Sequence, residues 1–309
     1  MTRSNPRIGL IGAGGIARTH AASLSALDGV EIASVADVVA DRAEALAADC
    51  GAKAVTDYRD FPDEVDAVYV CSPPTAHREQ VTAAVAAGRH VFCEKPLAAT
   101  LEDGRAIAEA VPSGGVHMMM GFNNRFRAPF SRLRELLRSG ELGDLVSGWI
   151  TRVEPSTPAL SANWRTTPGL ACGVTIESAA HDIDFIRWAF GEVVAVAGST
   201  SSSLPELPGY DDTLNALLWL ERGAAVSLTI SWTSAIGTSS RGIVGTGGAA
   251  CLLGPNMWTL SELRWARSGE NEAIEPIDER EGADLGYLEE SKHFVECIRE
   301  DRAPEVTVQ

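Results

Sequence analysis

Little in this chain places it outside the ordinary globular class. Its six cysteines, at positions 50, 71, 93, 172, 251 and 297, are scattered and form no Cys-x-x-Cys pair. That argues against a cysteine zinc site and predicts a reduced, cytoplasmic chain. Cys71 and Cys93 lie in apolar runs, where cysteine behaves as a small hydrophobe. Basic residues are scarce: 26 Lys and Arg against 42 Asp and Glu give a formal net charge of −16 over 309 residues. This is the reverse of a nucleic-acid footprint. No apolar run reaches the roughly 18 residues of a membrane span. The N-terminus passes directly into the strand-like Ile8–Ile11, without the separate apolar region and cleavage site of a signal peptide. No internal repeat is evident.

What is present is strand–helix alternation, then a change of pattern. Through residue 124, short apolar runs at Ile8–Ile11, Glu31–Ala36, Ala67–Cys71, His90–Cys93 and Val116–Met120 alternate with alanine-rich helical stretches such as Asp41–Asp49 and Thr75–Ala87. This predicts a parallel sheet covered on both faces. Met118-Met119-Met120 reads as a buried strand. From residue 125 an amphipathic helix at Pro129–Ser139 leads into runs at Val146–Val153, Val193–Thr200, Thr213–Leu220, Ala224–Trp232, Arg241–Gly245 and Ala249–Leu253. Closely spaced strands of this kind predict a mostly antiparallel sheet. A helical interruption falls at Val174–Phe190 and a final helix at Tyr287–Glu300. The expected domains are 1–124, a parallel α/β unit, and 125–309, an α+β unit.

Gly12-Ala13-Gly14-Gly15-Ile16-Ala17 follows an apolar strand and opens a helix. Gly12 permits the tight turn, Gly14 the close approach of a pyrophosphate, and Ala17 close helix–strand packing, with Gly15 and Ile16 at the helix start. The next strand ends at Asp37, placed to bond ribose hydroxyls and to repel a 2′-phosphate. Val38 and Val39 bring no positive charge, so NAD is expected rather than NADP. Gly245-Thr246-Gly247-Gly248 has no helix after it and reads as a turn.

Two further segments carry chemistry. Val91-Phe92-Cys93-Glu94-Lys95-Pro96 delivers an ammonium to the carboxyl end of a strand, the edge where open α/β sheets bind ligands. Glu177-Ser178-Ala179-Ala180-His181-Asp182-Ile183-Asp184 puts a histidine among carboxylates, with Glu177 and His181 on one face of a regular helix and Asp184 nearly so. A histidine so flanked is suited to proton transfer. Removing hydride from a secondary alcohol needs such a base, and Lys95 would stabilise the alkoxide. A lone histidine without a second one does not make a metalloprotease site, so no metal is expected.

Together these motifs resemble the glucose–fructose oxidoreductase/inositol dehydrogenase (Gfo/Idh/MocA) family. The resemblance is carried by Gly12–Ala17 with His20, Ser72-Pro73-Pro74-Thr75-Ala76-His77, Ala87–Val91 leading into Glu94-Lys95-Pro96, Gly121–Phe126, Trp164-Arg165 and the His181 helix. It implies an N-terminal Rossmann domain, NAD(P)-dependent redox of sugars, inositols and related polyols, and a large, open C-terminal sheet used in homodimer or homotetramer contacts. By resemblance Lys95 is the lysine between substrate and nicotinamide, His181 the catalytic histidine and Glu177 the acid one turn earlier. Ser72, Pro73, His77, Glu94 and Asn123 would line the nicotinamide side, and Trp164 and Arg165 would face cofactor and substrate. Specificity would reside in the loops around Pro155–Leu170 and Leu204–Tyr210.

Three departures stand out. The family's Gly-Gly-Gly is Ala171-Cys172-Gly173, its aspartate is Glu177, and the chain stops at Gln309, where relatives commonly continue through another helix. A non-catalytic nucleotide-binding sensor or scaffold, and a lyase using NAD for transient oxidation, are the alternative readings.

Overall fold

A computed structural model describes residues 5–155, 164–278 and 284–308. The chain divides into two compact units, Met1–Asn123 with Gly286–Gln309, and Asn124–Leu285. Among the described residues no helix is long and apolar enough to cross a membrane.

The first unit is built on β1 (Arg7–Ile11), β2 (Glu31–Ala36), β3 (Lys53–Val55), β4 (Ala67–Val70), β5 (His90–Glu94) and β6 (Met118–Gly121). All pairings are parallel, in the order β3-β2-β1-β4-β5-β6. Every residue of β4 and β6 is buried, the signature of a parallel sheet covered on both faces. Helices α1 (Gly15–Ser25), α2 (Ala40–Cys50), α3 (His77–Ala86) and α4 (Leu101–Gly114) supply the cover. Thr100 caps α4 by accepting from Asp103 N at 3.1 Å. The strand order reverses at β1, flanked by β2 on one side and β4 on the other. This switch point opens the crevice at the carboxyl ends where such sheets take ligands.

The final helix, Tyr287–Glu300, belongs to this first unit. Its buried Phe294 meets Tyr69 and Phe92 with ring centroids 5.8 and 5.7 Å apart. Beyond it, Val306 O accepts from Met120 N at 3.0 Å. The division expected from the sequence, 1–124 and 125–309, therefore differs at its end: residues 286–309 return to the first unit. The apolar stripe of Phe294, Val295 and Ile298 is buried there.

The second unit carries β7 (Leu145–Val153), β8 (Val193–Ser201), β9 (Thr213–Leu220), β10 (Ala225–Ser231), β11 (Thr238–Gly245), β12 (Gly248–Gly254), β13 (Glu262–Arg267) and β14 (Ala273–Pro276). Their order is β14-β13-β12-β11-β7-β10-β9-β8, with only β7/β10 parallel. Helix α5 (Ala128–Arg138) and the 174–190 segment share a core with one face, including Phe130, Leu133, Phe185, Ile186, Leu228 and Ile230. In β9, Leu214, Leu218 and Leu220 turn inward while Leu217 and Trp219 stay 38% and 39% exposed. Trp149 shares this outer row, lying across Gly242 of β11. Trp232, the last residue of the Ala224–Trp232 run, is buried in the core just past the end of β10.

Candidate functional site

In the first unit the expected site positions gather along the carboxyl edge of the sheet. Gly12 has φ +96° and its N–H donates to Ala36 O at 2.8 Å. A Cβ there would lie 3.0 Å from the Cys71 backbone, so the turn after β1 can pass the end of β4 only as glycine. Gly14 and Gly15 face open space, with nothing within 4 Å of a Cβ on either. The first turn of α1 holds no acidic residue and its cap has no side-chain bond. Its leading N–H groups are therefore available to an anion, and these residues fit a dinucleotide pyrophosphate.

Asp37 is fixed on both oxygens. Oδ2 accepts from Ala13 N at 2.8 Å and Oδ1 from Val39 N at 2.9 Å. Each carboxylate oxygen retains capacity for a second bond, as ribose recognition requires. Val38 beside it is 91% exposed.

Ser72 and Pro73 are half-buried after β4, and Lys95 is half-buried after β5. His77 and Glu94 lie behind them, buried. His77 Nδ1 is 3.0 Å from Pro96 O and Nε2 is 2.9 Å from Ser72 O, tying the two edge loops together. Burial pulls the His77 pKa below the usual imidazole value, against the pull of the Ser72, Leu97 and Pro96 carbonyls and of Glu94. Glu94 Oε1 meets His20 Nε2 at 2.7 Å, and Oε2 accepts from Lys95 N at 3.1 Å. Asn123 is buried immediately after β6.

In the second unit Trp164 and Arg165 are half-buried, the guanidinium stacked 4.6 Å from the Trp164 ring centroid. Residues 156–163 of the expected specificity loop lie outside the described residues. The histidine segment is not the regular helix that the four-residue spacing assumes. Ala179 N donates to Val174 O at 2.8 Å, a five-residue step, before α6 (Ala180–Phe185) begins. Wide turns of this kind recur at functional sites. His181 is buried, its ring edge-on to Trp258 at 5.9 Å.

The carboxylates around His181 are each engaged by arginine. Glu177 Oε1 accepts from Arg165 Nε at 2.5 Å. Asp184, expected near the histidine's face, takes two bonds from Arg125, at 2.9 and 2.6 Å. Asp182 is fully buried between Arg152 of β7 and Arg241 of β11, at 2.9 and 2.7 Å. Burial pushes its carboxyl up, but the two guanidiniums outweigh that and hold it below the usual range. Arg152 and Arg241 were not among the expected site residues. Their only sequence signal is a charge within a strand-like run.

Asp211 was missed as well. It accepts from Thr175 N at 2.7 Å while its carbonyl takes Val174 N at 2.8 Å, fixing the start of the histidine segment. Gly173, just before, has φ 74° and ψ 173°, a region essentially closed to other residues. Ala171 and Cys172 show no positive φ, so only the last glycine of the family's run is required by the backbone. Burial, then the charge of Glu177, pushes the Cys172 thiol up to about 11, so it stays unreactive near neutrality. Among the described residues no group of three or more His, Cys, Asp or Glu side chains could hold a metal.

Comparison with known proteins agrees with this layout. The oxidoreductase family with an NAD-binding Rossmann fold, GFO_IDH_MocA, matches residues 6–122, and the GFO/IDH/MocA C-terminal domain matches residues 130–251. Myo-inositol 2-dehydrogenase of Thermotoga maritima is 30% identical over 308 residues, covering 97% of this chain and 90% of the relative. The 1,5-anhydro-D-fructose reductase of Ensifer adhaerens is 32% identical over 283 residues, or 88% and 83%. Levoglucosan dehydrogenase in complex with NADH has the same fold, with a TM-score of 0.88 at 23% identity over 98% of this chain and 92% of that one. With both domains matched and a relative aligned along nearly its whole length, this chain belongs to the Gfo/Idh/MocA family of oxidoreductases.

Proposed function

We propose that the chain is an NAD-dependent dehydrogenase acting on a secondary alcohol, or the corresponding ketone, of an inositol, sugar or related polyol. The observation that carries the cofactor half is Asp37, fixed by two backbone N–H groups beside the glycine turn. The polyol class is supported by the relatives named above, an inositol dehydrogenase and an anhydrofructose reductase.

Bound NAD supplies the hydride acceptor. In this reading His181 takes the hydroxyl proton as the alcohol is oxidised, and Lys95 stabilises the alkoxide. Glu177 shares its charge with Arg165 and acts as a positioning residue for the histidine segment. Ser72, Pro73 and Asn123 shape the nicotinamide side, while His77 and Glu94 brace it from behind. Trp164 and Arg165 face the ligands.

The test is absorbance at 340 nm with NAD and a panel of inositols, sugars and sugar acids. Net NADH formation is expected. Product without net NADH would favour the lyase reading, and NAD binding without turnover the sensor reading.

The outer face of the eight-stranded sheet, with Leu217 and Trp219 unburied, supports assembly into a homodimer or homotetramer through that face.

A further inference from the structure

His20 lies on α1, away from every role assigned above. It is fully buried, within 4.9 to 5.6 Å of the Phe92, Tyr69 and Tyr287 ring centroids. Its Nε2 sits 2.7 Å from Glu94 Oε1. Its Nδ1 is buried and has no hydrogen-bond partner among the described residues. A proton there would be a buried donor without an acceptor, which costs more than an unfilled lone pair. The ring proton therefore sits on Nε2 and is donated to Glu94.

Glu94 in turn is committed on both oxygens, Oε1 to His20 and Oε2 to the Lys95 N–H at 3.1 Å. Its carboxylate lies over Gly121, where a Cβ would come within 3.1 Å of Oε1. Four titratable groups facing this pair stay uncharged near neutrality. Burial raises the Cys71 and Cys93 thiols well above their usual value and Tyr69 above its own, and it lowers His77. Tyr287 and Glu290 of the final helix and Lys95 are further ionisable neighbours.

We propose that His20 is a positioning residue for Lys95: as a fixed N–H donor to Glu94 Oε1 it holds the buried Glu94 side chain with its other oxygen on the Lys95 amide. The inference rests on the role proposed for Lys95 and adds the residue that holds Lys95 in place. A buried polar side chain keeps one position only where its hydrogen bonds fix it. Without the His20 donor, Glu94 Oε1 loses its partner and the carboxylate is free to turn away from the Lys95 amide.

The experiment measures kcat and KM separately for the wild type, His20→Leu, His20→Gln and Glu94→Gln, with thermal unfolding as a check on folding. Lys95 is assigned to the transition state, so its displacement in a folded His20→Leu should lower kcat by about tenfold or more while KM changes little. His20→Gln, which keeps a neutral N–H donor, should recover most of the wild-type kcat. Glu94→Gln should lose at least as much kcat as His20→Leu. A folded His20→Leu with wild-type kcat would overturn the proposal. So would a folded His20→Gln with kcat as low as that of Glu94→Gln, a result that remains decisive if His20→Leu does not fold. Absence of any wild-type turnover would instead reject the functional reading, so the two failures are distinguishable.

Discussion

Asp37 accepts the amide of Ala13 at 2.8 Å, so the acid at the end of β2 also holds the glycine turn at the end of β1. The carboxylate is fixed before any ribose arrives, and little conformational entropy is left to lose on binding.

The first prediction concerns this contact. A hydrogen bond to a charged group contributes about 1.5–3 kcal/mol, so Asp37→Ser should weaken NAD binding by roughly ten- to a hundredfold. Combined with Val38→Arg it should turn the preference toward NADP. Fluorescence titration with both dinucleotides checks this. Equal wild-type affinity for the two would reject the ribose role.

A second prediction separates the glycine run. Gly173→Ala forces a side chain into a glycine-only region at about 1–3 kcal/mol, with its Cβ 3.0 Å from Asp211 O. It should lower the unfolding temperature and turnover together. Cys172→Gly should be close to neutral in both.

The third prediction follows from the buried triad. Asp182→Asn leaves the fully buried Arg241 without the counter-charge it now pairs with and Arg152 with Glu154, at a cost of about 3–5 kcal/mol. The folded carboxyl is held below its unfolded value, so its contribution is complete above the unfolded pKa of about 3.9 and is lost as pH falls through the lower folded value. Urea unfolding from pH 7 to pH 3 should show this acid loss in the wild type and its absence at that site in Asp182→Asn.

How legible this was depended on distance along the chain. Gly12 and Asp37 were readable because strand, turn, helix and next strand follow within about 30 residues and each step has a local signature. Asp211, Arg152 and Arg241 were not. They reach the histidine segment from positions 30 to 59 residues away, and nothing local says which way a charged side chain in a strand or loop turns. The pattern of the final helix was legible, but its return to the first unit was not, because a stripe such as Phe294, Val295 and Ile298 names no partner. β13 and β14 escaped because Glu262, Arg264 and Arg267 interrupt their apolar alternation.

Assembly gives a fourth prediction. Leu217 and Trp219 project from the uncovered side of β9, opposite the buried Leu214, Leu218 and Leu220. Light scattering at micromolar concentration should report a dimer or tetramer, and Leu217→Asp should shift it toward monomer without unfolding. A wild-type monomer would count against the proposed interface.

The central claim is that His181 and Lys95 carry proton removal and alkoxide stabilisation in an NAD-dependent oxidation. Its most direct test is steady-state kinetics at 340 nm on wild type, His181→Ala and Lys95→Ala with the best polyol of the panel. Loss of such a group lowers kcat more than it raises KM. Both variants should fold, bind NAD and lose kcat by about 10²–10⁴-fold. A His181→Ala enzyme that kept near-normal kcat would contradict the account.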